Sequence, residues 1–181
     1  FLALAKFFSR TSAALSSAVA ELTAAPTAEH LQVARTAYIQ TATAWQHCQL
    51  FDFGPADAIT GTLSQNINTF PSTTSKIEQA IAAGDTSLNN FDRDARGLPA
   101  LDYLLFANDA AATVEALSAS ATRGAYIRAV ARDVAGHVQR VHAAWTSTYR
   151  ADFLARGGTD AGSATTQVFN AFNRGFEVLK N

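Results

Sequence analysis

The sequence is poor in the residues that support several common kinds of protein chemistry. It contains no methionine and only one cysteine, Cys48, among 181 residues. A single cysteine excludes an internal disulfide bond and a zinc finger built on cysteine ligands. Charged residues make up 16% of the chain and the formal net charge is -1. This balance argues against nucleic acid or an anionic membrane surface as the main partner.

Long apolar runs and common catalytic motifs are missing as well. No stretch is long and apolar enough to cross a bilayer as a helix. The sequence has no Gly-x-Ser-x-Gly elbow, no Cys-x-x-Cys pair, no phosphate-binding glycine loop and no His-Glu-x-x-His motif. Cys48 follows His47 directly, and adjacent helical residues do not face each other. We therefore interpret Cys48 as a small buried apolar residue and not as a nucleophile.

Apolar residues, by contrast, are plentiful and recur with helical spacing. They make up 48% of the chain, which allows a sizeable core in a chain of this length. No strand-like alternation persists along the sequence. The sequence therefore predicts an all-α protein, an up-and-down bundle of four or more helices with long ordered loops, folded as a single domain over residues 1–181.

Four segments define the predicted bundle. A first helix extends to about Thr23, and a second follows the N-cap Thr27 with an apolar seam that ends at the polar Gln49. The longest helix extends from Ser120 to about Tyr149. Its predicted core seam consists of Ile127, Val130, Val134, Val138, Val141 and Trp145. The last helix has an apolar face without an evident partner, formed by Val168, Phe169, Phe172, Phe176 and Leu179.

The middle of the chain contains two breaks. Gly54-Pro55 interrupts the pattern, and the polar region 56–74 predicts a long ordered loop with a short helical turn. A short helix over 74–83 ends at Gly84. The second break is Gly97, where Pro99 is predicted at the first helical position and Asp102 in the first turn. Arg96 directly precedes this break, so it is a candidate to face the same pocket as Asp102.

The second break also introduces a resemblance. The segment from Gly97 to Phe106 reads Gly-Leu-Pro-Ala-Leu-Asp-Tyr-Leu-Leu-Phe, and two further blocks lie at 44–55 and 67–71. In order and spacing they resemble the imelysin-like family, in the branch found in the Bacteroidetes. That family's motif is Gly-x-His-x-x-Glu followed by a Tyr-Leu-Leu-Phe-like run. Here Pro99 replaces the histidine and Asp102 the glutamate, and proline cannot ligate a metal.

The resemblance implies a cell-envelope protein, periplasmic or anchored to the outer membrane as a lipoprotein, that is linked to iron uptake. The family's domain has two related helical halves, and the resemblance covers the first half alone. Its expected partners are therefore the C-terminal half or a second chain, together with iron-uptake components of the envelope. The chain begins with Phe1 and shows no signal peptide, so we expect a fragment or one chain of a nicked protein.

Three functions remain open at this point. The first is a non-catalytic envelope protein that binds a ligand or partner near the segment from Gly97 to Asp102. The second is the metallopeptidase implied by the family name, and the third is a structural module for helical assembly. The predicted signature pocket consists of Trp45, Gln49, Asp52, Gly54, Pro55, Arg96, Gly97, Pro99, Asp102 and Tyr103.

A metal ion is a further open question. Asp102 is the one residue of the signature pocket that we predict as a metal ligand, for iron, zinc or calcium. A zinc site there also requires histidines that converge on it, from His30, His47, His137, His142 or the absent half. Asp133 and His137, spaced i,i+4, form either a ligand pair or a surface charge contact. Asp52 is alternatively a turn residue that caps a nearby N–H.

Overall fold

The structure is a computed structural model that describes residues 2–57 and 61–180, with the backbone alone at 178 and 179. Within these ranges every regular element is helical, which confirms the all-α prediction. The helices are α1 (Leu2–Ala24), α2 (Ala28–Cys48), α3 (Leu63–Ile67), α4 (Thr74–Ala83), α5 (Gly97–Phe106), α6 (Ala110–Ala119), α7 (Ala121–Ala144), α8 (Arg150–Ala155) and α9 (Ala164–Lys180). In the described part of the chain, no helix is both long and apolar enough to span a membrane.

Helices α1, α2 and α7 pack together as the centre of the bundle, and α5 completes it. The predicted seam of α7 lies in this core, because Ile127, Val130, Val134 and Val138 are all buried. A fully buried apolar side chain of this size contributes roughly 1.5–3 kcal/mol relative to an exposed one. Spacing by three and four residues therefore identified the main packing surface correctly.

A smaller aromatic cluster lies at the far end of α7. The helix continues through one π turn (Trp145–Tyr149) directly into α8. The rings of Trp145 and Phe53 meet edge to face, with their centroids 6.0 Å apart, and Ala171 of α9 is buried beside them. This cluster attaches α9 to the bundle.

Several local predictions are confirmed. The Thr27 side chain accepts a hydrogen bond from the His30 N–H at 3.1 Å and so caps α2. Gly84 ends α4 in the left-handed conformation, with φ of 66°. Cys48 is buried, and burial raises the pKa of its thiol to about 11. The predicted long loop 56–74 contains α3, which begins with a capping box between Thr62 and Gln65; residues 58–60 of it lie outside the described residues.

The start of α5 differs slightly from the prediction. The helix begins at Gly97, so Pro99 is its third residue and not its first, and Asp102 is its sixth residue, beyond the first turn predicted for it. Proline is still tolerated there, since the first four N–H groups of a helix have no partner within the helix. Gly97 has a φ of 78°, and a Cβ at this position would collide with the backbone carbonyl of Ile67. Only glycine meets both constraints.

We predict that Gly97→Ala destabilises the fold by at least about 2 kcal/mol, because the side chain adds backbone strain and a collision with an immobile carbonyl. Chemical denaturation followed by circular dichroism measures this change. The control is Gly136→Ala in the middle of α7, where a Cβ would meet only Arg140 at an ordinary 3.7 Å. That substitution should raise stability by about 0.5–1 kcal/mol. Equal effects of the two substitutions would contradict the prediction.

Candidate functional site

Asp102 lies in an open groove between α2, α5 and the segment before α4. Its carboxylate is exposed and lies close to the hydroxyl of Tyr38 on α2. Burial, and then the charge of Asp102, raise the pKa of Tyr38. The Tyr38 ring also packs against Phe106, with centroids 5.4 Å apart. Two aromatic side chains and one carboxylate therefore meet at this surface.

The groove has a volume of about 410 Å³. Its lining residues are Tyr38, Asn68, Phe70, Ser72, Thr74, Pro99, Asp102, Tyr103, Phe106 and Ala107. Phe70 is 81% exposed at its edge. The polar groups of these side chains are hydroxyls, one carboxylate and one amide. Such oxygen ligands suit hard cations or hydrogen-bonding molecules better than zinc. The groove can therefore hold a polar group beside exposed aromatic surface.

Tyr103 is held at the margin of this groove. Its hydroxyl donates to a Glu78 carboxylate oxygen at 2.9 Å, and the other Glu78 oxygen pairs with Arg123 of α7. Burial raises the pKa of Tyr103, and the bond to Glu78 raises it further. These contacts orient Tyr103 toward α4 and α7, so it is a supporting residue of the groove.

Arg96 does not face Asp102. Arg96 directly precedes α5, and its side chain is 4% exposed. The guanidinium donates to the side-chain oxygens of Asn66 at 2.7 Å and Asn90 at 2.9 Å, and to the Leu88 carbonyl at 3.1 Å. The Asp133 carboxylate of α7 forms an ion pair with the guanidinium, with 3.6 Å between Oδ2 and Nη1. Burial lowers the pKa of Arg96, and Asp133 opposes that shift.

The predicted proximity of Arg96 and Asp102 is therefore wrong. The backbone of Arg96 is extended, and Gly97 then turns the chain at positive φ. This geometry directs the Arg96 side chain toward Asp133, whereas Asp102, six residues after Arg96, lies on the solvent-exposed side of α5. Sequence reasoning missed Asn66 and Asn90, since nothing local in the sequence indicates that two asparagines converge on one arginine.

Gly54 and Pro55 line a third region, a cleft of about 700 Å³ beside the end of α7. Its described lining residues are Phe53, Gly54, Pro55, Ala56, Asp57, Gly61, Leu63, Asn66, His137, Arg140, Val141, Ala144, Thr148, Tyr149, Arg156 and Gln167. Gly54 has a φ of 60°, and a Cβ there would overlap the Tyr149 hydroxyl. The glycine therefore allows its turn to approach the π turn that follows α7 closely.

The remaining members of the predicted pocket have separate structural positions. Trp45 is buried in the core against Phe8, with ring centroids 5.8 Å apart. Gln49 is exposed just beyond the end of α2 and bonds to Gln46 at 2.8 Å. Asp52 is buried and accepts from the Ser64 N–H at 3.4 Å, the capping role that was the alternative. Burial raises the pKa of Asp52, and the hydrogen bonds that its carboxylate accepts only partly offset this increase.

The structure thus does not unite the predicted residues in one pocket. Pro99, Asp102 and Tyr103 share the groove, Gly54 and Pro55 line the cleft, and the others lie in the core or at turns. Over residues 2–57 and 61–180, no group of three His, Cys, Asp or Glu side chains is placed to hold a metal ion. Asp133 and His137 form a half-buried contact of 3.4 Å next to Arg96.

The chain belongs to the imelysin family, whose model matches residues 3–181. No curated protein matches the sequence. Among solved structures, the chain is similar to a protein from Parabacteroides distasonis that is provisionally described as an iron-regulated protein A precursor, with a TM-score of 0.76 and 19% identity. The similarity covers 94% of this chain and 50% of that one. This chain therefore spans half the length of that solved protein, and at this identity the similarity concerns the fold alone.

We predict that Arg96→Met lowers the free energy of unfolding by about 3 kcal/mol, because it removes the ion-pair partner of Asp133 and the donor shared by two asparagine side-chain oxygens. Arg96→Lys should also destabilise, since an ammonium group cannot reproduce the fork of the guanidinium. Urea denaturation measures both effects. The control Arg132→Met changes an exposed arginine one residue before Asp133. A change at Arg96 no larger than that at Arg132 would show that the network contributes little to stability.

Proposed function

We propose that this chain is the ligand-binding first half of an imelysin-family protein of the bacterial cell envelope, that it serves iron uptake and that it does not hydrolyse peptides. One observation carries the proposal: the Asp102 carboxylate is exposed in a groove that Tyr38 and the exposed ring of Phe70 also line. An exposed charged group that is surrounded by aromatic surface is suited to recognition. The ligand or partner binds over α5, near the segment from Gly97 to Asp102.

The association with iron and with the envelope draws on the family and on the solved relative. That relative carries the descriptions "iron-regulated" and "precursor", and a precursor is commonly a protein made with a segment that is removed on export. The oxygen donors of the groove are compatible with this association, because carboxylate and hydroxyl groups are hard ligands. Asp102 would be the anionic ligand, with Tyr38 beside it.

The metal-ligating side chains of the groove support the peptidase alternative less well than the binding function. A catalytic zinc ion usually takes three protein ligands and keeps one open position for water. Pro99 has no donor where the family motif has histidine, and Asp102 supplies one carboxylate. The residues of this groove therefore do not fit a catalytic zinc ion, and such a site would need ligands from the other half of the protein.

We also propose that the second half of the domain packs on α9. Its outer face exposes Phe169, Phe172 and Phe176, which are 64%, 58% and 64% exposed. Three phenylalanines in one contiguous stripe exceed the usual scatter of single exposed apolar residues. The solved relative is about twice as long as the matched region, which supports a covering segment from the same protein.

For the groove, we predict that Asp102→Asn weakens ion binding about tenfold, or about 1.4 kcal/mol, because the anionic donor is lost while the shape is kept. Ferrous iron, zinc, copper and calcium are titrated calorimetrically into chelator-treated protein. Asp102 is exposed, so stability should change by less than about 0.5 kcal/mol. The control Glu115→Gln removes an exposed carboxylate from α6, away from the groove.

Three outcomes distinguish the functions. Iron binding that is lost in Asp102→Asn and kept in Glu115→Gln supports the groove as an iron-related site. Tight zinc binding together with peptide hydrolysis by the full-length protein would favour the peptidase. No ion bound by any form would contradict the metal-dependent prediction. In that case, normal growth on limited iron of a strain that carries Asp102→Asn would favour a structural module.

For α9, we predict that Phe172 reacts at least severalfold more slowly with hydroxyl radicals in the full-length protein than in this chain alone, because a covering segment removes it from water. Mass spectrometry of the labelled peptides measures the rates. Phe91, which is 91% exposed and distant in sequence from α9, is the internal control. Equal labelling of Phe172 in both proteins would contradict the proposed packing.

A further inference from the structure

We infer that the cleft between the turn Gly54–Ala56 and the end of α7 is a second binding site, and that it takes an organic carboxylate with an apolar body. This site lies apart from the Asp102 groove and shares no lining residue with it. The inference therefore goes beyond the proposed function and does not depend on it.

The size and the walls of the cleft fit a small organic molecule. Its volume is about 700 Å³, within the range of roughly 300–1,000 Å³ typical of ligand sites. Phe53, Pro55 and Leu63 form one apolar wall, and Val141 and Ala144 of α7 form the other. Apolar walls on both sides favour a ligand whose body is a ring or a short hydrocarbon skeleton.

The charge of the cleft defines the polar end of the ligand. Arg140 and Arg156 both line it, and Asp57 is the one acidic residue among the described lining residues. Within the described part of the chain, no carboxylate lies within ion-pair distance of either arginine. Two unpaired guanidinium groups at an apolar cleft attract an anion, and their planar fork matches a carboxylate.

Neighbouring side chains hold both arginines in position. Arg140 lies 2.9 Å from Nδ1 of His137, whose Nε2 lies 3.4 Å from Asp133. A neutral His137 with its proton on Nε2 can accept from Arg140 while it faces Asp133. Arg156 lies over the ring of Tyr149, 5.9 Å from its centroid. Arginine stacked in this way keeps its N–H groups available for a ligand.

The Tyr149 side of the cleft is also fixed. The Tyr149 hydroxyl donates to Gln167 of α9 at 2.8 Å, and the Gln167 amide donates to the Gly162 carbonyl at 3.2 Å. Gly54 meets the same hydroxyl so closely that no side chain fits between them. Tyr149 is the last residue of the π turn, a type of irregularity that frequently occurs at functional sites. The cleft is therefore organised before any ligand binds.

The experiment uses a matched pair of probes of equal shape. Calorimetric titration compares 2-naphthoate, which has a ring body and a carboxylate, with the neutral 2-naphthamide. We expect one naphthoate to bind per chain. The amide should bind about tenfold more weakly, because it has no carboxylate charge to pair with the arginines. Acetate, which has the charge without the apolar body, should bind weakly or not at all.

Variants then localise the site. Arg140→Gln combined with Arg156→Gln should weaken naphthoate binding about tenfold or more and leave the amide unchanged. Ala144→Phe fills the cleft and should weaken both probes. The control Arg132→Gln removes an exposed arginine of α7 that does not line the cleft. Because all three arginines are exposed, the arginine variants should keep the circular dichroism spectrum of the parent.

Clear results would overturn the inference. Absence of naphthoate binding, equal affinity for the two naphthalene probes, or unchanged naphthoate affinity in the double arginine variant would each exclude a carboxylate site in this cleft. None of these results depends on Asp102, so they are distinguishable from a failure of the proposed groove function.

Discussion

The arrangement of this molecule depends on one buried guanidinium group. Arg96 connects the segment around α3, the turn before α5 and the long helix α7, because Asn66, Asn90 and Asp133 all direct oxygen atoms toward it. Burying a charge is costly unless an opposite charge and hydrogen bonds compensate it, as Asp133 and the two asparagines do here for the terminal nitrogens of Arg96. The turn that introduces α5 is consequently fixed relative to α7, and this in turn decides where Asp102 and the cleft lie.

The same turn separates two surfaces that the sequence places close together. Gly97 packs directly on the backbone of Ile67, so α5 leaves the turn with Asp102 on its outer side. The other side of the network continues through Asp133 and His137 to Arg140 at the cleft. One structural network thus supports two different surfaces, an acidic aromatic groove and a basic apolar cleft. Our proposals assign a different kind of ligand to each.

Membership of the imelysin family gives this arrangement a larger context. The chain spans half the length of the solved protein that it resembles, and the phenylalanines of α9 form an apolar face. Under our proposal a second half covers that face. Arg174 of the same helix donates to the Asp52 carbonyl at 3.3 Å, so α9 is already attached to the bundle through its inner side, and packing of a second half would not require it to move.

The sequence by itself determined the main helices of the bundle, the cap at Thr27, the stop at Gly84 and the buried seam of α7, because each depends on neighbours within about four residues. The sequence also showed the family motif and the position, Pro99, at which this chain differs from that motif. Only the tertiary structure decided that Arg96 and Asp102 diverge, and that Arg96 meets Asn66, 30 residues earlier. The direction of a side chain at a break follows from backbone angles and distant packing, which local periodicity does not encode. The groove and the cleft are products of that packing.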